Sequence, residues 1–240
     1  MVDVKPSKAA RMAEVVFCLT SVLFASQPAT DGDAVIARVD AIANYRYEHV
    51  LGFTDMEVYA VYRGNDQTHP AATMKVKTTY KKGEGKSYEI LSQSGSELIM
   101  KFGLRPLLEN EKAINVPGNV EHSWFTSANY GMKLKPGVRQ RIGGRDCIAI
   151  AMKPKRKAPN MIDGTLWVDA MDDSIVKVDG IASKSPSVFA GTTHMTRQYS
   201  NIDGYAMAQH ARAESNNAFF GRTVVTIDYS DYDLQLDQAR

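Results

Sequence analysis

The sequence has few cysteines and no excess of one charge, and each shortage excludes a class of protein. It contains only two cysteines, Cys18 in an N-terminal apolar stretch and Cys147 at an alternating strand position. Removal of that stretch would leave Cys147 alone, without an internal disulfide, and we predict a buried structural thiol. The 29 basic and 27 acidic residues nearly cancel, so the net charge does not indicate nucleic-acid binding. The 44% hydrophobic content over 240 residues predicts one domain with a sizeable core.

Motifs of catalysis and of metal binding are also absent. The five histidines show none of the short spacings that are typical of metal ligands. The sequence has no Gly-x-Ser-x-Gly elbow, no glycine-rich phosphate loop ahead of a helix and no His-Glu-x-x-His. Asp169, Asp172 and Asp173 lack the ligand pattern of a calcium loop, and we attribute them to solvation of a tight turn. We therefore predict a protein that is not an enzyme and has no cofactor or metal.

The N-terminus has the layout of a secretory signal peptide. Lys5, Lys8 and Arg11 precede the apolar stretch Met12 to Ala25, and small or turn-forming residues follow. The stretch is shorter than the roughly 20 apolar residues of a membrane span, and Glu14 interrupts it. We expect a signal peptide at residues 1–27 and one domain at residues 28–240, with a membrane-anchored N-terminus as the alternative.

Alternation of apolar and polar residues predicts a long series of strands. In residues 72–82, Met74, Val76, Thr78 and Tyr80 fall on one face, and mostly lysine and threonine on the other. Strands at this spacing favour a mainly β fold, a barrel or sandwich of consecutive antiparallel strands, whose concave face can hold a ligand. The other strands are predicted at residues 56–63, 87–93, 130–135, 146–153, 164–180 (a hairpin), 192–202, 205–214 and 222–234.

Helical spacing occurs in two places. Residues 33–45 predict an amphipathic helix with Asp31 or Asp33 as its cap, and residues 106–112 predict a second helix with proline in its first turn. Residues 115–129 are irregular and aromatic, and we expect them to pack over the sheet.

The basic run at residues 153–157 is interpreted as a loop at the rim of the sheet, with contact to anionic head groups or an acidic partner as the alternative.

The dipeptide Asp203-Gly204 predicts a tight hairpin turn. This turn pairs Ile202 with Tyr205, and therefore places Arg197 opposite His210 and His194 opposite Ala213. The histidines at 194 and 210 do not face each other in that register.

A series of short segments in the second half of the chain forms a recognisable pattern of strands and turns. They are residues 104–111 (LRPLLENE), Asn129-Tyr130, Gly144-Arg145 before Cys147, Pro154-Lys155, residues 164–170 (GTLWVDA), 176–180 (VKVDG), 184–187 (KSPS) and 227–232 (IDYSDY). These segments resemble the outer-membrane lipoprotein-sorting proteins of the LolA-like superfamily. The resemblance covers residues 97–234, is clearest over the last hundred residues and includes no catalytic residue.

The resemblance implies an open antiparallel half-barrel with helices covering its concave face. It further implies a periplasmic carrier or receptor that binds lipid acyl chains or acylated lipoproteins in an apolar cavity, with an inner-membrane transporter and an outer-membrane acceptor as partners. That family carries a functional arginine in its early strands, for which Arg46 and Arg63 are both candidates. For the cavity lining we predict Val58, Met74, Val76, Tyr88, Ile90, Met132, Leu134, Ile148 and Ile150 from the strands and Leu107, Leu108, Trp124 and Phe125 from the cover.

Two alternatives to the carrier remain. The first is a periplasmic regulatory or assembly module that uses the same fold to bind a protein partner, and a cavity filled with side chains would favour it. The second is a hydrolase acting on an apolar ester, for which the sequence offers scattered serine, histidine and aspartate residues without a motif.

Overall fold

The computed structural model describes residues 31–158, 160–184, 191–217 and 221–237. The predicted signal peptide, Cys18 and Ser185 to Ser187 of the family-like segment lie outside the described residues. No helix of the described part combines the length and the apolarity needed to cross a bilayer.

The strands in the described part of the chain form one open antiparallel sheet, which confirms the predicted fold class. The spatial order is β3-β2-β1-β10-β9-β8-β7-β6-β5-β4, so β3 and β4 form the two edges and the first strand pairs with the last. The ten strands are β1 (Val50–Arg63), β2 (Ala72–Lys81), β3 (Gly85–Gly95), β4 (Tyr130–Ile142), β5 (Arg145–Pro154), β6 (Ile162–Asp169), β7 (Ile175–Ala182), β8 (Thr193–Ile202), β9 (Tyr205–Asn217) and β10 (Gly221–Leu236).

Helix α1 (Gly32–His49) begins at Asp31, whose carboxylate accepts a hydrogen bond from the Asp33 amide. Asp31 is therefore the cap, and the first predicted helix is confirmed. The helix packs against β4, and its last residue runs directly into β1, which lies seven places from β4 in the strand order. Because one helix reaches both strands, the sheet curves around it and has a concave face.

A single segment, residues 96–129, connects edge strand β3 to the opposite edge strand β4, and we call it the cover segment. It contains α2 (Glu97–Ile99), a π-helical turn (Met100–Leu104), α3 (Arg105–Ile114) and a 3-10 turn (Val120–Ser123). Proline occupies the first turn of α3, as predicted. Since the segment joins the two edges, it passes across the sheet.

Cys147 is buried and free, as predicted. Burial raises the pKa of its thiol above the ordinary value. A thiol in this environment is protonated at neutral pH, which fits a structural role.

The predicted register of the β8–β9 hairpin is wrong beyond the turn. Ile202 pairs with Tyr205 as expected, but Arg197 pairs with Ala211 and His194 with Glu214. An irregularity at Gln198/Tyr199 leaves one extra residue on β9, which shifts all later pairs by one position. His194 and His210 still do not face each other.

The acidic turn after β6 is not merely solvated, so that interpretation was wrong for two of its aspartates. Asp169 and Asp173 are buried, Asp169 is bonded by Arg145 at 2.6 Å, and Asp173 is bonded by Arg38 of α1. The turn therefore anchors α1 to the sheet.

The basic run at 153–157 holds the cover segment. Lys155 donates to the Ser127 carbonyl at 2.7 Å, and Arg156 donates to the Asn129 side chain at 3.2 Å and to the His122 carbonyl. Two of its cations are thus used internally, which leaves less charge for an anionic surface.

Candidate functional site

One row of paired residues crosses the whole concave face. Residues that pair between neighbouring strands point to the same face. Arg197 is the only charged member of an otherwise largely apolar row. From one edge to the other the row reads Gln93, Met74, Tyr59, Ile227, Ala211, Arg197, Val178, Leu166, Ile150 and Leu134.

Two separate apolar clusters occupy the two ends of this face. Under α1, Val35 and Val39 pack with Ile150, Leu166 and Val178 in a first cluster that covers the strands from β5 to β7. Each of these side chains is buried. One end of the concave face is therefore an ordinary core closed by α1.

The second cluster lies under the cover segment. Its Met100, Leu104 and Leu108 pack with Tyr59 and Met74 of strands β1 and β2. No buried residue is shared between these two clusters, one of which lies under α1 and the other under the cover segment.

Strands β8 to β10 lie between the covers, and four of their inward residues, at positions 197, 199, 211 and 229, are half-buried. We call this region the central trough and define it by Arg197, Tyr199, Ala211 and Tyr229, with Arg46 of α1 above it. Tyr199 lies at the margin of the first cluster, whereas Ala211 and Tyr229 lie at the margin of the second. The trough is thus the part of the concave face that neither cover closes completely.

A buried ionic group links the second cover to the sheet. The Lys86 ammonium lies 3.6 Å from Glu57 of β1 and 3.8 Å from Glu111 of α3, and the Tyr59 hydroxyl donates to Glu57. Burial alone would lower the pKa of Lys86, but the two carboxylates outweigh it and raise that pKa. The charged Lys86 of β3 therefore links this strand to β1 and α3 through ion pairs.

Asp55 lies on the same face of β1 as Glu57 and is 2% exposed. Burial first, and the charge of Glu57 second, raise the pKa of its carboxyl to about 7. One Asp55 oxygen, the Thr78 hydroxyl and the Tyr88 hydroxyl are buried without a hydrogen-bond partner in the described structure. Polar groups in this state indicate a site that can take a polar ligand or water.

Arg46 reaches the trough from the last turn of α1. Its Nη2 donates to the Met207 sulfur at 3.4 Å, and its Nε is buried without a partner among the described residues. Burial lowers the pKa of Arg46, because its charge lacks a close anion.

Most of the predicted lining residues lie in or beside the two clusters. Met74, Val76, Leu108, Ile148 and Ile150 are buried members. Trp124 packs on Tyr47 with ring centroids 4.4 Å apart. Members packed at the margins are Tyr88, Leu107, Phe125, Met132 and Leu134.

Two of the predicted lining residues are exposed. Val58 alternates with Glu57 and Tyr59, so it points to the outer face and is 37% exposed; its placement in the cavity lining is corrected. Ile90 pairs with Val76 but lies on the edge strand and is 44% exposed, at the rim of the concave face.

Sequence reasoning missed the charged residues of the interior. Asp55 and Glu57 occupy the same alternating phase as Phe53 and Tyr59, and this phase is the signal that could have placed them inside. Within the described ranges, no group of three or more His, Cys, Asp or Glu residues is arranged to hold a metal ion.

No family model and no curated protein matches the sequence. Solved structures are similar in fold. A LolA superfamily protein from Nitrosomonas europaea has 13% identity and a TM-score of 0.47, over 86% of this chain and 94% of that one. A putative outer membrane lipoprotein-sorting protein domain from Vibrio parahaemolyticus has 15% identity and a TM-score of 0.47, over 87% and 94%. The complex of MucA and MucB from Pseudomonas aeruginosa has 9% identity and a TM-score of 0.28, over 82% and 93%. LolA superfamily proteins are thus among the solved structures to which this chain is similar.

Proposed function

We propose that this protein is a periplasmic carrier or receptor that binds lipid acyl chains or acylated lipoproteins on its concave face and takes part in lipoprotein sorting to the outer membrane. It acts by binding and without catalysis. A transporter in the inner membrane and an acceptor at the outer membrane are the partners that this role requires. The observation that carries the proposal is the concave apolar face, closed by α1 and the cover segment, with a half-open trough between them.

The cover segment occupies apolar surface that an acyl chain can take in its place. Leu104 and Leu108 bury apolar surface on Tyr59 and Met74, and an acyl chain would bury similar surface at about 0.8 kcal/mol per methylene. The π-helical turn Met100–Leu104 interrupts the helical part of the cover, and such turns occur frequently at functional sites. We infer that the cover moves about this turn when a chain enters.

Native mass spectrometry with organic extraction of the detergent-free periplasmic protein tests the proposal. We expect a stoichiometric lipid or acylated peptide, and uptake of a fluorescent fatty acid by the delipidated protein. Ala211→Trp fills the floor of the trough and should weaken uptake more than tenfold, whereas Val58→Trp on the outer face should leave it unchanged. Lipid-free protein that takes up no fatty acid would contradict the carrier role.

A second candidate is a module that binds a protein partner through the same fold. Two observations favour it: the clusters are filled with side chains, and the cover exposes Leu98 and Phe102, which are 69% and 71% exposed and one helical turn apart. A photo-crosslinking residue at position 102 should then give one discrete adduct in cells, and the same residue at position 58 should give none. Adducts at both positions, or at neither, would count against this candidate.

A further inference from the structure

We propose that Arg46, Arg197 and the Tyr199 hydroxyl form a binding site for the anionic head group, carboxylate or phosphate, of an amphiphile whose chain lies in the central trough. This inference rests on the proposed function and specifies the chemical class of its ligand.

The two arginines lack anionic partners. Within the part of the chain that the structure describes, no carboxylate oxygen lies within 4.0 Å of either guanidinium. Arg46 has a buried, unpaired Nε and otherwise contacts the Met207 sulfur, which is a weak acceptor. A buried guanidinium is stable only when its donors are satisfied, so this arrangement is suited to an external anion.

Arg197 and Tyr199 are two residues apart on β8 and point to the same face. Arg197 interrupts the apolar row between Ala211 and Val178. Burial raises the pKa of the Tyr199 hydroxyl, and the positive charges of Arg197 and Arg46 act against that rise. Two cations thus lie near one hydroxyl, a combination of donors suited to a carboxylate or phosphate.

Among the described residues, no interior carboxylate forms an ion pair with Arg46 or Arg197. Glu121, which acts on Tyr80 together with Arg46, accepts from the Tyr47 hydroxyl at 3.1 Å. Glu57 and Glu111 lie on either side of Lys86, and Asp55, with a pKa of about 7, is only partly charged at neutral pH. Glu111 acts on Arg197 from beyond ion-pair distance. Positive charge therefore remains in surplus at the arginines.

The side chains that form the floor of the trough beside Arg197 are small. Ala211 lies between Arg197 and Ile227 in the row across the sheet, and the next inward position of β9 is Ala213. The chain of the amphiphile continues from the head group over these small side chains, between Ile227 and Val225, toward the second cluster.

Isothermal titration with oleate, oleyl alcohol and inorganic phosphate, each below its aggregation limit, tests the site. We expect the wild-type protein to bind oleate at least tenfold more tightly than oleyl alcohol. Arg197→Met and Arg46→Met should each weaken oleate binding about 10- to 100-fold and leave oleyl alcohol unchanged, because they remove charge-assisted hydrogen bonds only. Lys77→Met, at an exposed position on the outer face of β2, is the control and should change neither.

Two further variants keep the test informative if a methionine variant fails to fold. Tyr199→Phe preserves the shape and should weaken oleate binding alone, and Arg197→Lys should retain part of the preference for oleate over the alcohol. Equal wild-type affinity for oleate and oleyl alcohol would overturn the anion site and leave the proposed function standing. Failure to bind either would overturn the proposed function. Arginine-dependent binding of phosphate as tight as that of oleate would overturn the amphiphile as the source of the anion.

Discussion

Replacing Asp55 with asparagine should remove most of the pH dependence of stability between pH 5 and pH 7.5. The carboxyl has a pKa raised from 3.8 to about 7 by burial and by the charge of Glu57. A group whose pKa is higher in the folded state stabilises the fold below its unfolded pKa, and that stability is lost as the pH rises toward the folded pKa. The loss therefore falls between about pH 4 and pH 7.

The structure sets the size of this effect. Raising a pKa from 3.8 to about 7 corresponds to at most about 4 kcal/mol, since one pKa unit equals about 1.4 kcal/mol. Over the accessible range from pH 5 to pH 7.5, the free energy of unfolding of the wild type should fall by about 2 to 3 kcal/mol relative to that of Asp55→Asn.

Urea unfolding at half-unit pH intervals, followed by tryptophan fluorescence, measures the difference between the two proteins. Contributions from histidines and from other carboxylates cancel in that difference. Asp163→Asn, at an exposed position on β6, is the matched control and should track the wild type. A difference between Asp55→Asn and wild type that stays constant with pH would refute the reasoning.

Three further results are expected. Lys86→Met should lower the free energy of unfolding by about 3 to 5 kcal/mol, because it leaves Glu57 buried without a cation. Lys77→Met on the outer face is its control and should change that free energy by less than about 0.5 kcal/mol. Equal urea midpoints for the two variants would contradict a stabilising ion pair at Lys86. Asn129→Ala should cost about 2 to 3 kcal/mol, since its amide donates to two carbonyls at 2.8 and 3.0 Å, and an unchanged thermal midpoint would show that these bonds are dispensable. Cys147 should react with a thiol reagent only in urea, and rapid labelling of the native protein would contradict its burial.

The strands could be predicted from the sequence because each depends on a local period of two. In β2 the inward phase from Met74 to Tyr80 was predicted correctly, since lysine and threonine fill the outward phase. In β1 the same reasoning chose Val58, because both phases contain apolar residues there and Asp55 and Glu57 reduce the hydrophobicity of the inward one. The alternation of side chains is local, whereas the phase that faces the core is decided by the rest of the fold.

The ionic interior could not be predicted for a related reason. Glu57 is compatible with burial only because Lys86 arrives from β3 and Glu111 from α3, and no local pattern joins these three positions. The anion site likewise needs Arg46 from α1 and Arg197 from β8. An irregularity of one residue near Gln198 decided which β9 side chain stands beside Arg197, and its position is not encoded in a recognisable motif.

Pairing of β1 with β10 joins a group of three strands, β1 to β3, to a group of seven, β4 to β10. The hairpins within each group can form from local contacts as the chain is synthesised, but the two groups can join only after β10 has emerged. The β1–β10 pair has the largest sequence separation of the strand pairs in the sheet. Its formation therefore has a high entropy cost of loop closure, and we expect it late in folding. Until then β1 presents an unpaired edge, and a nascent or truncated chain is exposed to aggregation through that edge.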